Sequence, residues 1–142
     1  MGDTLLQKTE ASGVYYLNPS RRNTVIKAAE LTDFCHLTAT LTGPITTQSV
    51  LQQLGQALRF PTWYGANFDA LYDCLTDPEW LPSRGHVLLI DGIAPLRASE
   101  PDDFATFIEV LQNAAEARRN EGAPFWILLD TPARGIPPLP DA

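Results

Sequence analysis

The spacing of apolar residues changes several times along the chain, and each change marks an element. Over residues 34–41, Cys35, Leu37, Ala39 and Leu41 alternate with His36, Thr38 and Thr40, the period of a half-buried strand, and Gly43-Pro44 ends it. The period then lengthens. Val50, Leu51, Leu54, Ala57 and Leu58 fall on one face at helical spacing, with Thr46 or Thr47 placed to cap the first turn. Asn67 offers another cap, and a second, short helix is predicted over 68–75 with Phe68, Leu71, Tyr72 and Leu75 as its apolar stripe. Pro78 ends it, because a proline pushes the preceding residue out of the helical region. Residues 87–90 and 125–129 are unbroken apolar runs, suited to central strands of a parallel sheet covered on both faces. Between them Ser99, Pro101 and Asp102 open a helix whose buried stripe is Phe104, Phe107, Ile108, Leu111 and Ala115, and Gly122 closes it. Near the start, residues 13–17 read as a strand that stops at Asn18-Pro19, with a short helix following from Pro19 or Ser20 to about Leu31.

Strand and helix signals alternate, so the expected fold class is α/β: a small parallel sheet of three core strands, joined by a fourth from the N-terminal part, packed by helices through right-handed crossovers. Residues 34–130 form the main body. Residues 1–33 are an N-terminal addition whose strand and short helix join the same domain. Residues 131–142 carry four prolines and are expected to be extended or disordered, adding little to the core. With 44% hydrophobic residues, 142 residues suffice for one core without staples. No run of 18 apolar residues occurs and the first 17 residues lack a basic-then-apolar leader pattern, so a soluble, cytoplasmic protein is expected, with no membrane partner. A glycine-rich phosphate loop is absent. Cys35 and Cys74 lie far apart without metal-ligand spacing, and read as free thiols; no metal or cofactor is implied.

Charge narrows the choice of partner. The formal net charge is −7, with five Lys/Arg against four Asp/Glu over residues 1–59 and five against thirteen over 60–142. An acidic surface repels phosphate backbones and attracts basic proteins, so direct nucleic-acid binding loses ground. The short helix concentrates that charge. Asp69, Asp73 and Thr76 lie opposite the apolar stripe, Asp77 and Glu79 follow, and no Lys or Arg occurs between Arg59 and Arg84. Carboxylates four apart on a helix repel by roughly 0.2–0.5 kcal/mol, and only Asp69 gains from the helix N-terminus. An isolated pair of this kind is ordinarily just solvated. Trp63 and Tyr64 directly before the helix change that balance, since an aromatic rim beside acidic residues has the composition of a protein-binding hot spot. Two other classes stay open: a non-inhibitory interaction module for another basic partner, and a metal-dependent hydrolase using Asp69 and Asp73, for which no third ligand is spaced. Cys74 with His36 or His86 is a weaker nucleophile pairing, because Cys74 sits beside the apolar stripe.

The run Phe60-Pro61-Thr62-Trp63-Tyr64-Gly65-Ala66-Asn67-Phe68-Asp69-Ala70-Leu71-Tyr72-Asp73-Cys74-Leu75-Thr76 resembles the signature of the barstar family, intracellular inhibitors of microbial ribonucleases. The order of the later helix and strands fits as well, so the resemblance covers about residues 34–130. It implies a barstar-like fold, no catalytic residues, and a basic ribonuclease as partner, whose active site is plugged by the acidic helix and the loop before it. Asp73 would be the dominant anchor and Asp69 the second, with Trp63, Gly65, Asn67, Tyr72 and Thr76 lining the contact. The chain departs from the family pattern at Ala66, where an acidic residue is familiar, at Tyr72, where Trp is, and near Ala117, where the family's late-helix acidic contact falls, with Glu116 beside it. These departures leave room for a partner other than the best-known ribonuclease.

Overall fold

Two apolar runs without alternation need cover above and below, and the computed structural model, which describes residues 5–141, supplies it. The elements in chain order are β1 (Val14–Tyr16), α1 (Arg22–Glu30), β2 (Cys35–Thr40), α2 (Thr47–Ala57), α3 (Phe68–Thr76), β3 (His86–Asp91), α4 (Ala94–Ser99), α5 (Pro101–Asn120) and β4 (Phe125–Leu129). The four strands form one all-parallel sheet in the order β1-β4-β3-β2, so the two runs, β3 and β4, occupy its centre. The strand from the N-terminal part is β1, paired with β4 through Val14 and Ile127. A short 3-10 turn at Pro19–Arg21, capped by the Asn18 side chain, leads from β1 into α1.

Alternate residues of the central strands feed two separate cores. Leu88, Ile90, Ile127 and Leu129 pack with Leu51, Leu54, Leu71, Leu75, Phe107 and Leu111 from α2, α3 and α5. On the other face Val87, Leu89, Trp126 and Leu128 meet Val25, Ala28 and Ala29 of α1, together with Leu5, Leu6 and Leu139. Trp126 is fully buried and satisfies its indole N–H on the Leu6 carbonyl at 2.8 Å, as a buried indole must. Edge strand β2 shows the alternation its sequence promised: Ala39 is buried while His36, Thr38 and Thr40 are exposed.

The structure corrects the sequence reading at three points. Tyr72 is not part of the buried stripe of α3; Ala70, Leu71, Cys74 and Leu75 are buried, and Tyr72 stands 37% exposed. The cause is angular: the stripe narrows to the side facing α5, and position 72 falls beyond it. Helix α4 was not foreseen, because six residues with Leu96 as the sole buried member show no period. The proline-rich tail, expected to add little, contributes Ile136 to one core and Leu139 to the other. It does so by running beside β1, where Pro137 accepts from the Tyr16 N–H at 2.9 Å and Leu139 donates to the Tyr16 carbonyl at 2.8 Å. Proline lacks a donor but keeps its carbonyl, so a prolyl segment can still cover a sheet edge.

A Leu139→Ala substitution should therefore cost about 2–4 kcal/mol in urea unfolding, the ordinary range for emptying a buried leucine site. A loss below about 0.5 kcal/mol, typical of a surface change, would show the tail to be dispensable.

Candidate partner-binding face

Helix α3 begins because Asn67, in extended backbone, accepts the Ala70 N–H on Oδ1 at 2.8 Å. That contact satisfies one of the donors a helix start leaves open. At the other end the last turn has no basic residue of its own, and Arg118 of α5 fills the gap. Its Nε donates to the Leu75 carbonyl and its Nη2 to the Asp77 carbonyl, both at 2.9 Å. A cation there offsets the negative end of the helix dipole. The Arg118 guanidinium also lies 5.4 Å from the centre of the Phe125 ring, and the residue is 7% exposed. Trp80 closes the floor behind α3: its indole donates to the Leu58 carbonyl at 2.7 Å, and its ring stacks on His86 at 5.1 Å.

The loop before α3 splits its two aromatic residues between different tasks. Tyr64, expected beside Trp63 in an outward rim, turns inward: its hydroxyl donates to the Leu51 carbonyl at 2.7 Å and its ring meets Phe60 edge-on at 4.8 Å. Burial pushes its phenol well above the ordinary range, with Cys74 adding to the effect. Trp63 points the other way and is 54% exposed. The backbone holds two non-glycine residues in the left-handed region, Arg59 at φ 58° and Ala66 at φ 53°, one at each end of the loop. Such residues each cost on the order of 1–3 kcal/mol and persist only where surrounding contacts impose them. Gly65 leaves room for the cap, since a Cβ there would lie 3.0 Å from Asn67 Nδ2.

Trp63, Gly65, Asn67, Asp69 and Asp73 line one shallow open depression, floored by Phe68 and Ala70. Tyr72 and Thr76 do not line it, although Tyr72 is the residue directly before Asp73; the Thr76 hydroxyl donates to the Tyr72 carbonyl at 2.8 Å. Asp69 and Asp73 are exposed. Among the described residues the ion pairs engage Asp141, Asp91, Asp33 and Glu116, and none includes Asp69, Asp73, Asp77 or Glu79. Arg118, which reaches the end of α3, is hydrogen-bonded to backbone carbonyls there. Glu116 pairs with Arg119 at 3.8 Å, and the neighbouring Ala117 offers no charge. Sequence reading missed Arg118 and the inward role of Tyr64. Arg118 had a signal: spaced at seven from Leu111, it continues the buried stripe of α5.

The other candidate chemistries find little geometry. Cys74 is fully buried, and burial, with Asp77 and Asp73 nearby, pushes its thiol up to about 11, away from the reactive thiolate. Cys35 and Cys74 are both free thiols. His36 is exposed on β2, while His86 holds the Leu81 carbonyl through Nε2 at 2.9 Å. Neither is hydrogen-bonded to Cys74 among the described residues. Nor do three His, Cys, Asp or Glu side chains gather there as a set of metal ligands. No helix among them is long and apolar enough to cross a membrane.

His86 is fully buried with Nδ1 unpartnered, and burial lowers its pKa, with the Arg118 charge pushing the same way against the Leu81 hydrogen bond. The folded pKa thus lies below the unfolded value of about 6.5, so the unfolded chain binds a proton first as pH falls. Stability should be complete above pH ~6.5 and decline below it, with a slope reaching about 1.4 kcal/mol per pH unit for one proton. Urea titrations at stepped pH should show stability falling as pH drops below ~6.5 in the parent, and less steeply in His86→Phe. Equal slopes in the two proteins would assign the loss to other groups.

Two comparisons with known proteins bear on this face. The sequence model of the family described as barstar (barnase inhibitor) matches residues 34–130, more than half of the chain and all of the face just described. No curated protein matches the chain.

Proposed function

The chain belongs to the barstar family, and from that premise we propose that it is an intracellular inhibitor that binds a basic ribonuclease and covers its active site with α3 and the preceding loop. The observation that carries this reading is a helix holding Asp69 and Asp73 outward with no ion pair to either among the described residues. A fold that has ten Lys and Arg, and places one of them against this very helix without neutralising it, leaves that charge to an external cation. A ribonuclease active site supplies such cations, because it must hold RNA phosphates. The carboxylates would take the place of those phosphates, Asp73 as the main anchor and Asp69 as the second. Trp63, Gly65, Asn67, Tyr72 and Thr76 would surround them, with Asn67 contributing through its amide nitrogen, since Oδ1 is committed to the cap. Ala66 and Ala117 remove two carboxylates familiar in the family, so the contact would lean more heavily on the α3 pair and the exposed Trp63 indole.

Asp73→Ala should leave the unfolding free energy within about 0.5 kcal/mol of the parent, as surface changes do. The same change should weaken binding to barnase, or to a basic ribonuclease recovered with the protein, by at least about 2 kcal/mol, because the partner's cation is then buried alone. Calorimetric titrations giving equal affinities for parent and variant would refute the proposal. Capture of basic proteins without nuclease activity would instead favour a scaffold role.

The association rate with such a ribonuclease should fall as salt rises from ~50 to ~500 mM, since screening shortens the reach of the attraction. Stopped-flow mixing would measure it, and a rate indifferent to salt would speak against an electrostatic encounter.

A further inference from the structure

Gly55 sits inside α2, where helix propensity argues against glycine. Its use lies across the gap from it. A Cβ at position 55 would stand 2.7 Å from Tyr64 Cε2 and 2.8 Å from Cδ2, closer than real Cβ atoms come to any neighbour. The ring has no cheap way to retreat, because its side chain is held at two points and its backbone at a third. Its hydroxyl donates to the Leu51 carbonyl one turn earlier on α2 at 2.7 Å, its ring packs edge-on to Phe60, and its N–H closes a turn onto the Pro61 carbonyl at 3.0 Å. Trp63 is the next residue back along the chain, and its outward direction follows from the inward direction of Tyr64. The left-handed backbone at Arg59 and Ala66 confines the same short segment from both ends.

We infer that Gly55 is a positioning residue of the binding face: its bare Cα is the seat on which Tyr64 rests, and that seat aims Trp63 and Gly65 beside the α3 carboxylates. The inference rests on the reading that this face binds a ribonuclease, but the seat itself can be tested without a partner. Glycine at this position trades helix stability for a fixed loop, and a loop fixed in advance loses less freedom when a complex forms.

The test is Gly55→Ala in the full chain, followed in two ways. Of the three tryptophans Trp80 and Trp126 are buried, so acrylamide quenching reports chiefly on Trp63, and amide resonances of residues 62–66 report on the loop. We expect a retained circular-dichroism spectrum, displaced loop resonances and altered quenching. We also expect a complex with barnase that dissociates about tenfold faster or more, as interface changes act mainly on dissociation. In a Tyr64→Ala background the same Gly55→Ala change should add no further loss, because the collision has gone. Unmoved loop resonances would overturn the inference. So would displaced resonances with an unchanged dissociation rate, or an effect of Gly55→Ala that is the same with and without the Tyr64 ring. Should Gly55→Ala not fold, Tyr64→Phe keeps the ring and removes the Leu51 contact; it should displace the same resonances and speed dissociation, and if it does neither the inference falls. A parent chain that does not bind barnase would count against the proposed function with that enzyme, while the resonances still decide whether the seat exists.

Discussion

The guanidinium of Arg118 donating to the Leu75 and Asp77 carbonyls is the interaction on which the rest of the face depends. A helix of nine residues has little stability of its own, since nucleation is costly and few bonds repay it. Helix α3 persists because its inner side is buried against α5, its first turn is capped by Asn67, and its last carbonyls are held from outside. The identity of the groups held matters as much as the hold. Had the same arginine met the Asp73 carboxylate, α3 would be equally well anchored and electrically closed. Directed at the backbone, it steadies the helix and leaves the acidic side chains open.

Much of this was legible in the sequence. The unbroken runs at β3 and β4 require double cover and so fix a parallel central pair, and the change from alternation at β2 to helical spacing at α2 places the crossover. Asn67 and Pro78 bound α3 from opposite sides for reasons of backbone chemistry alone. What escaped were side-chain roles set by contact between distant segments. Tyr64 and Trp63 are neighbours of similar character, and which one turns inward is decided by the vacant surface at Gly55, nine positions earlier. Arg118 looks like one more charged residue near the end of a long helix; only the packing of α5 against α3 brings it to those carbonyls. The tail failed for a different reason. Proline content signals the absence of helix and of a donor ladder, but not the absence of burial, and two apolar residues among the prolines reach the two cores.

In the proposed complex the loop and helix would divide the labour of recognition. Charge comes from α3, a rigid element whose inner face is locked into the larger core. Apolar contact area comes from Trp63, carried by a segment of strained backbone braced by Tyr64. Neither part contributes much alone: exposed carboxylates attract many basic surfaces weakly, and one exposed indole has little specificity. Set side by side around one depression, they would together suit the cationic partner proposed above better than either does alone.

Leu5, Leu6 and Leu139 lie together under α1, across the sheet from the core that holds Leu71 and Leu75 of α3. Both described ends of the chain therefore depart from the rear of the molecule. Attachment at either described end would join the molecule on the side of the sheet away from the proposed binding face.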